Sequence, residues 1–288
     1  MSNIHGFGNY QSNNGNVGIQ NSMNSSSDSR DDRIFIRSLY KLRSVTAILL
    51  LLNISIYLFQ IMAFYLYYFK ADKTWSCLLI SFGAFQGGKI KNHYEYHRFL
   101  TSTFLHNSIA HMGSNCLSLF FLGFQVENEI NNKLYFLALY LISGLIGDFN
   151  SLLFNANSIS VGASGAIIGL CGNFVIYFLL NYRNMTDRKK YSYGTMFFFL
   201  FINLFSGLAE GGENINMASH FGGFIGGFCV SIILTYKMNY RMQNNKSLKK
   251  LYYCSITFLI VFPIISIASL NMKKVGNAAD YICQIKNK

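Results

Sequence analysis

Charge is scarce in this chain. Asp, Glu, Lys and Arg make up 12% of its 288 residues, about half the ~25% of a typical soluble domain. Proline occurs once, at Pro263. Half of the residues are apolar, with 27 Phe and 19 Tyr. So few charges among so many long apolar runs exclude an ordinary water-facing domain and point to the bilayer. The six cysteines (Cys77, Cys116, Cys171, Cys229, Cys254 and Cys283) include no pair spaced for zinc or redox chemistry. Four of them lie in apolar runs and serve as small hydrophobes. Cys77 and Cys283 are free to meet on one side of the membrane, and nothing in the sequence demands that they do.

The formal charge is +12. A basic balance can signal nucleic acid, but these Lys and Arg sit in short clusters between apolar runs, as topology signals do. No nucleic-acid partner is expected; the expected surroundings are the lipid bilayer. Residues 1–29 are rich in Asn, Ser and Gly and carry no signal-peptide pattern. They cannot bury enough surface to offset ordering entropy, so disorder is expected there. A basic stretch follows, through Arg30, Arg33, Arg37, Lys41 and Arg43.

Seven apolar spans are legible: Val45–Phe69, Ile109–Val126, Leu134–Phe154, Ser164–Leu180, Tyr191–Leu208, Met217–Tyr236 and Leu251–Leu270. Most approach the ~20 residues that a helix needs to cross hydrocarbon. The loops after spans four and six are basic (Arg183, Arg188, Lys189, Lys190; Lys237, Arg241, Lys246, Lys249, Lys250), whereas the loop after span five holds only Glu210 and Glu213. The positive-inside rule then places the N-terminus in the cytosol and the C-terminus outside or in a lumen. Lys273 and Lys274 lie on the outer side and run against that rule. The chain divides into a cytosolic segment (1–43), a six-span core (44–236) and a loop, seventh span and tail (237–288). The first loop, residues 70–108, is long and holds Trp75, Leu78, Leu79, Ile80, Phe82 and Phe85. Such a loop is usually a functional structure.

In this topology spans two, four and six all enter from the outer side, which gathers four polar groups at one depth. His111 and Asn115 lie in the first turns of span two, Ser164 starts span four, and His220 is three residues into span six. Ionisable and polar residues inside a membrane are costly and tend to be functional. Ser164 stands in Gly162-Ala163-Ser164-Gly165, at a helix start where free backbone N–H groups and the positive dipole end can stabilise an oxyanion. A capping serine among packing glycines is the plainer reading of that tetrapeptide. His220 stands in Ala218-Ser219-His220-Phe221-Gly222-Gly223, with Gly226 and Gly227 beyond. Small residues four apart permit close helix contact, and Gly165, Gly169 and Gly172 offer a matching face that would bring Ser164 against His220. A neutral imidazole there can take the serine proton; a buried histidine bonded to a carbonyl is the bland alternative. His111 and Asn115 face one way at i and i+4, as oxyanion donors or as interhelical glue. Metal-ligand spacing is absent, so neither metal nor cofactor is expected. No acid in the spans is placed to orient His220, so a Ser–His dyad is expected rather than a triad.

These residues resemble the rhomboid intramembrane serine proteases over about residues 45–236. The motifs are His97-Arg98-Phe99-Leu100-Thr101-Ser102-Thr103-Phe104-Leu105-His106, then His111 and Asn115, Leu122-Gly123 with Glu127, Gly162-Ala163-Ser164-Gly165, and Ala218-Ser219-His220 with Gly223 and Gly227. The resemblance implies an all-α polytopic bundle, a six-helix core plus a seventh transmembrane helix. It also implies Ser164 as nucleophile and His220 as base. His111, Asn115 and the Ser164 N–H would form the oxyanion hole, with Arg98, His106, Gly162, Gly165, Gly223 and Gly227 in support. Single-span membrane proteins are the implied substrates; no oligomeric state is implied. The seventh span and the Asn-, Lys-, Ile- and Tyr-rich wording resemble the apicomplexan type, which implies a secretory organelle or plasma membrane and surface adhesins as substrates. Two positions depart from the family pattern: His97 replaces the usual Trp, and Ile168 replaces an aromatic residue that often stacks on the base. A silent relative that binds transmembrane helices without cutting them, and a transporter, are the competing classes. The absence of an internal repeat and the near-surface polar cluster disfavour the transporter.

Overall fold

The computed structural model describes residues 44–71, 73–187, 190, 193–194, 216–238, 243–273, 275 and 283. Six described helices are long and apolar enough to cross a membrane: α1 (Val45–Tyr68), α5 (Ile109–Ile130), α6 (Lys133–Phe154), α7 (Ser164–Asn181), α8 (Met217–Met238) and α9 (Lys246–Met272). Between α1 and α5 lie the short helices α2 (Trp75–Ser81), α3 (Gly87–His93) and α4 (Arg98–Thr101). The architecture is an all-α, multi-pass membrane bundle, as expected. The fifth span, Tyr191–Leu208, falls almost wholly outside the described residues, as do the N-terminal segment and the Glu210–Glu213 loop.

Helix starts follow from side-chain acceptors at the cap positions. Ser44 accepts from the Ala47 N–H at 3.0 Å, Ser108 from His111 at 3.1 Å and Asn132 from Tyr135 at 3.1 Å. Asn245 caps α9 through Ser247 and Leu248. Because of that cap, α9 begins five residues before the expected Leu251: hydropathy marks the hydrocarbon, and the helix continues beyond it through Lys246, Lys249 and Lys250. Asn131 ends α5 in the left-handed region at φ 49°, which Asn tolerates. Both α1 and α5 contain a π turn, at Phe64–Tyr68 and Leu119–Gly123.

The bundle is apolar outside and partly polar within. Thr46, Asn53 and Gln60 are buried on the inner face of α1, while Leu51, Leu58 and Phe59 face outward. Lipid is as apolar as leucine, so association rests on close packing and hydrogen bonds. Glu127, near the end of α5, accepts from the Val45 and Thr46 N–H groups at 2.8 and 2.9 Å. It thereby supplies an anion to the positive end of α1.

The first loop is folded. Arg98, almost fully buried, donates to the carbonyls of Ile80 and Ala84, both at 2.8 Å, and to Glu95. Gln60 donates to the His106 carbonyl and accepts from its N–H, both at 3.2 Å, tying α1 to the loop. Phe85 and Ser160 exchange backbone hydrogen bonds at 2.9 and 3.0 Å, docking the loop beside the segment that leads into α7. Cys77 and Cys283 form a disulfide, with Cα atoms 5.1 Å apart. Lys273 donates to the carbonyls of Leu152 and Leu153 at the C-terminal end of α6, and Lys91 donates to those of Asn271 and Lys273. Cations at helix C-termini are favourable, so the Lys273 charge has local partners at the end of α6.

Candidate active site

The approach of α7 to α8 is set by glycine. A Cβ on Gly227 would lie 2.6 Å from the Gly169 Cα, and one on Gly223 would lie 2.9 Å from the Gly165 carbonyl carbon. The pairing of 165 with 223 and 169 with 227 makes the two helices parallel, with their N-terminal ends together. The sequence expectation that two smooth faces meet is therefore realised atom by atom. At those ends the His220 Nε2 lies 2.8 Å from the Ser164 Oγ.

Gly162 shapes the entry to α7. Its φ is +121°, a conformation open to glycine. A side chain there would also strike its neighbours, since a Cβ would lie 2.6 Å from His111 Cε1 and 3.4 Å from Asn115 Nδ2. So His111 and Asn115, one turn apart on α5, lie against the backbone two residues before Ser164. The Asn115 Nδ2 is buried without a hydrogen-bond partner among the described residues. Buried donors are rarely left unpaired, and this one lies against Gly162, two residues before the serine. The His220 Nδ1 is likewise buried without a partner among the described residues.

The structure thus brings Ser164, His220, His111 and Asn115 to one end of the bundle. Gly165, Gly223 and Gly227 lie in the helix contact that closes it. Arg98 and His106 lie one layer out, in the first loop. The His106 ring meets that of His111 edge-on at 5.3 Å. Burial, with the nearby His111, lowers the pKa of His106 to about 3. The chemistry available is that of a hydroxyl beside an imidazole, with an amide donor at hand.

Sequence reasoning passed over a polar set on α6. Asp148, Asn150 and Ser151 are buried and bonded toward the segments that carry Ser164 and His220. The signal was present, since an ionisable residue within an apolar span is a functional candidate.

The Rhomboid domain family matches residues 93–237. The chain is 32% identical over 214 residues to RHOMBOID-like protein 2 of Arabidopsis thaliana, covering 70% of this chain and 66% of that relative. It is 37% identical over 176 residues to Rhomboid protease GluP of Bacillus subtilis, covering 61% and 33%. It is 32% identical over 215 residues to Rhomboid protease AarA of Providencia stuartii, covering 66% and 72%. The chain spans 66%, 43% and 42% of the lengths of the Arabidopsis RHOMBOID-like proteins 2, 1 and 4. The matched stretch contains both glycine-paired helices and all four polar residues gathered at their ends, and on that ground the chain belongs to the rhomboid family.

Proposed function

We propose that this protein is an intramembrane serine endopeptidase that cleaves single-span membrane proteins near the outer or lumenal membrane boundary. The observation that carries the reading is the 2.8 Å approach of His220 Nε2 to Ser164 Oγ, made inside a membrane bundle. Two of the relatives are named as proteases, GluP and AarA.

In this reading Ser164 Oγ attacks the scissile carbonyl carbon while His220 Nε2 accepts the hydroxyl proton. The resulting oxyanion is held by Asn115, His111 and the Ser164 N–H. Collapse breaks the C–N bond, and His220 returns the proton to the leaving amine. Water then attacks the acyl-serine with His220 again as base, releasing the new carboxylate and restoring the hydroxyl. A substrate helix must unwind locally to reach the serine, which favours small or helix-weakening residues near its outer boundary.

The proposed orientation has the N-terminus in the cytosol. The Cys77–Cys283 disulfide supports it, because disulfides persist in oxidising compartments and both residues then lie outside or in the lumen. The location in a secretory organelle or plasma membrane, and surface adhesins as substrates, belong to the apicomplexan-type part of this proposal.

The test uses purified protein, a fluorophosphonate probe and single-span substrates. Labelling and cleavage are expected in the wild type and lost in Ser164→Ala at unchanged folding. Asn115→Ala is expected to lower kcat about 10²–10³-fold with little change in KM. A folded wild-type protein that neither labels nor cuts, yet binds transmembrane helices, would establish the silent-relative reading instead.

A further inference from the structure

We propose that one turn of α6, residues 148–151, is a bracket that positions both halves of the Ser164–His220 pair. The inference rests on the proposed protease reading and adds three positioning residues, Asp148, Asn150 and Ser151, on a helix that contributes no reacting atom.

The first arm reaches the serine. The Ser102 hydroxyl donates to Asp148 Oδ2 at 2.8 Å, and the Ser102 carbonyl accepts from the Gly162 N–H at 2.9 Å. Gly162 is the positive-φ residue two places before Ser164. Asp148 therefore fixes Ser102, and Ser102 fixes the turn that sets where the Ser164 Oγ emerges.

The second arm reaches the histidine. Asn150 Nδ2 donates to the Ala218 carbonyl at 2.8 Å, two residues before His220. Ser151 Oγ accepts from Asn216 Nδ2 at 2.7 Å. Asn216 in turn caps α8, since its Oδ1 accepts from the Ser219 N–H and its carbonyl from the His220 N–H. Helical spacing sorts the arms. Residues 147, 150 and 151 share one stripe, and there Gly147 lets α8 approach until a Cβ would lie 2.7 Å from the Ser219 carbonyl oxygen. Asp148 is turned about 100° from Gly147, toward the first loop.

Simple interhelical glue does not account for where the bonds end. Buried polar groups are costly, and apolar residues would fill the same space. Here each arm ends on backbone within a few residues of a reacting side chain. In a dry site such bonds hold their partners firmly, and a displacement of ~1 Å between reacting groups can cost ~10² in rate.

The experiment measures acylation of Ser164 by a fluorophosphonate in the detergent-purified full chain, separating the maximal rate from the half-saturating concentration, with melting temperature on the same samples. Asp148→Leu, Ser102→Ala and Asn150→Ala are expected to lower the maximal rate about 10- to 100-fold while half-saturation stays nearly constant. Asp148→Asn and Ser102→Thr keep the acceptor and the donor, and should recover most of that rate. Where a single variant leaves a buried partner unpaired and fails to fold, the double variant Asp148→Leu/Ser102→Ala removes both polar groups and carries the same expectation. Folded variants with the wild-type maximal rate, or with only a lower melting temperature, overturn the bracket and leave the protease reading standing. A folded wild type that the probe does not label overturns both.

Discussion

The inner helices α6, α7 and α8 and the outer helices α1 and α9 are all apolar enough to cross a membrane, the outer two more so, and are held in different ways. In α6, 61% of the apolar stretch is buried; in α9, 17%. The inner three meet through glycine and serine, with backbone against backbone. The outer two present large side chains such as Leu58 and Ile264 to the surroundings and are fastened near their ends. Glu127 caps α1, Gln60 ties it to the first loop, and Lys91, Lys273 and the Cys77–Cys283 disulfide secure the end of α9. Hydrophobicity carries both groups into the membrane, but lipid competes for apolar contacts. Small residues and polar end-contacts then decide which helix is central.

The sharpest break of this comparison is Gly227→Val. Its side chain would fall on the backbone of Gly169, so α7 and α8 would have to separate. No correctly folded bundle is expected, measured as loss of the monodisperse peak and of Ser164 labelling. Ile264→Val, on the outward face of α9, should leave both unchanged. A folded, active Gly227→Val protein would show that the inner contact is looser than drawn.

Next in size is Glu127→Ala. It removes an anionic acceptor from two N–H groups at the start of α1, a change worth about 1–2 kcal/mol. Melting temperature should fall while turnover per folded molecule holds, because the cap lies near the end of α5 away from Asn115. A loss of turnover at unchanged stability would contradict the division between fastening and chemistry.

Releasing the disulfide should matter less than its loop length suggests. Chain entropy in water assigns ~5 kcal/mol to a loop closed by residues this far apart. Here the spans remain inserted when tertiary contacts fail, which already confines the ends. Cys283→Ser should therefore cost about 1 kcal/mol, read as a small drop in melting temperature that a reductant reproduces in the wild type. A reductant-insensitive wild type that shows free thiols at both positions would remove the covalent fastening.

Much of this arrangement was legible in residue order. The starts at Val45, Ile109, Ser164 and Met217 coincide with the structure because apolar runs and caps are local signals. The Ser164–His220 meeting was legible through glycine spacing on both helices, although each motif alone also allowed a plainer structural reading. The short helices of the first loop and the contacts of Lys273 were not, because each depends on a partner remote in sequence; the Cys77–Cys283 pairing was open in the sequence without being demanded by it. The α6 bracket lies between these cases. Asp148 was visible as a carboxyl in an apolar run, but Ser102, its partner 46 residues away, was visible only in three dimensions.

The smallest expected effect concerns pH at the junction of first loop and α1. His106 is fully buried, and its backbone is held on both sides by Gln60. Burial, followed by the nearby His111, lowers its pKa from 6.5 to about 3. A folded-state pKa below the unfolded value means that the unfolded chain binds more protons between those limits. The contribution of His106 to stability is therefore fully present above about pH 6.5 and is lost progressively as pH falls toward 3. Melting temperatures between pH 7.5 and about 4.5 should decline in the wild type, and less steeply in His106→Gln, whose amide does not titrate. The effect should stay at the fastened edge, leaving the α7–α8 contact intact at the lower pH, as cross-linking between engineered cysteines on those two helices would report. Equal slopes for the two proteins would mean that His106 takes up its proton without resistance, and that the first loop is packed against α1 less tightly than the inner helices are against one another.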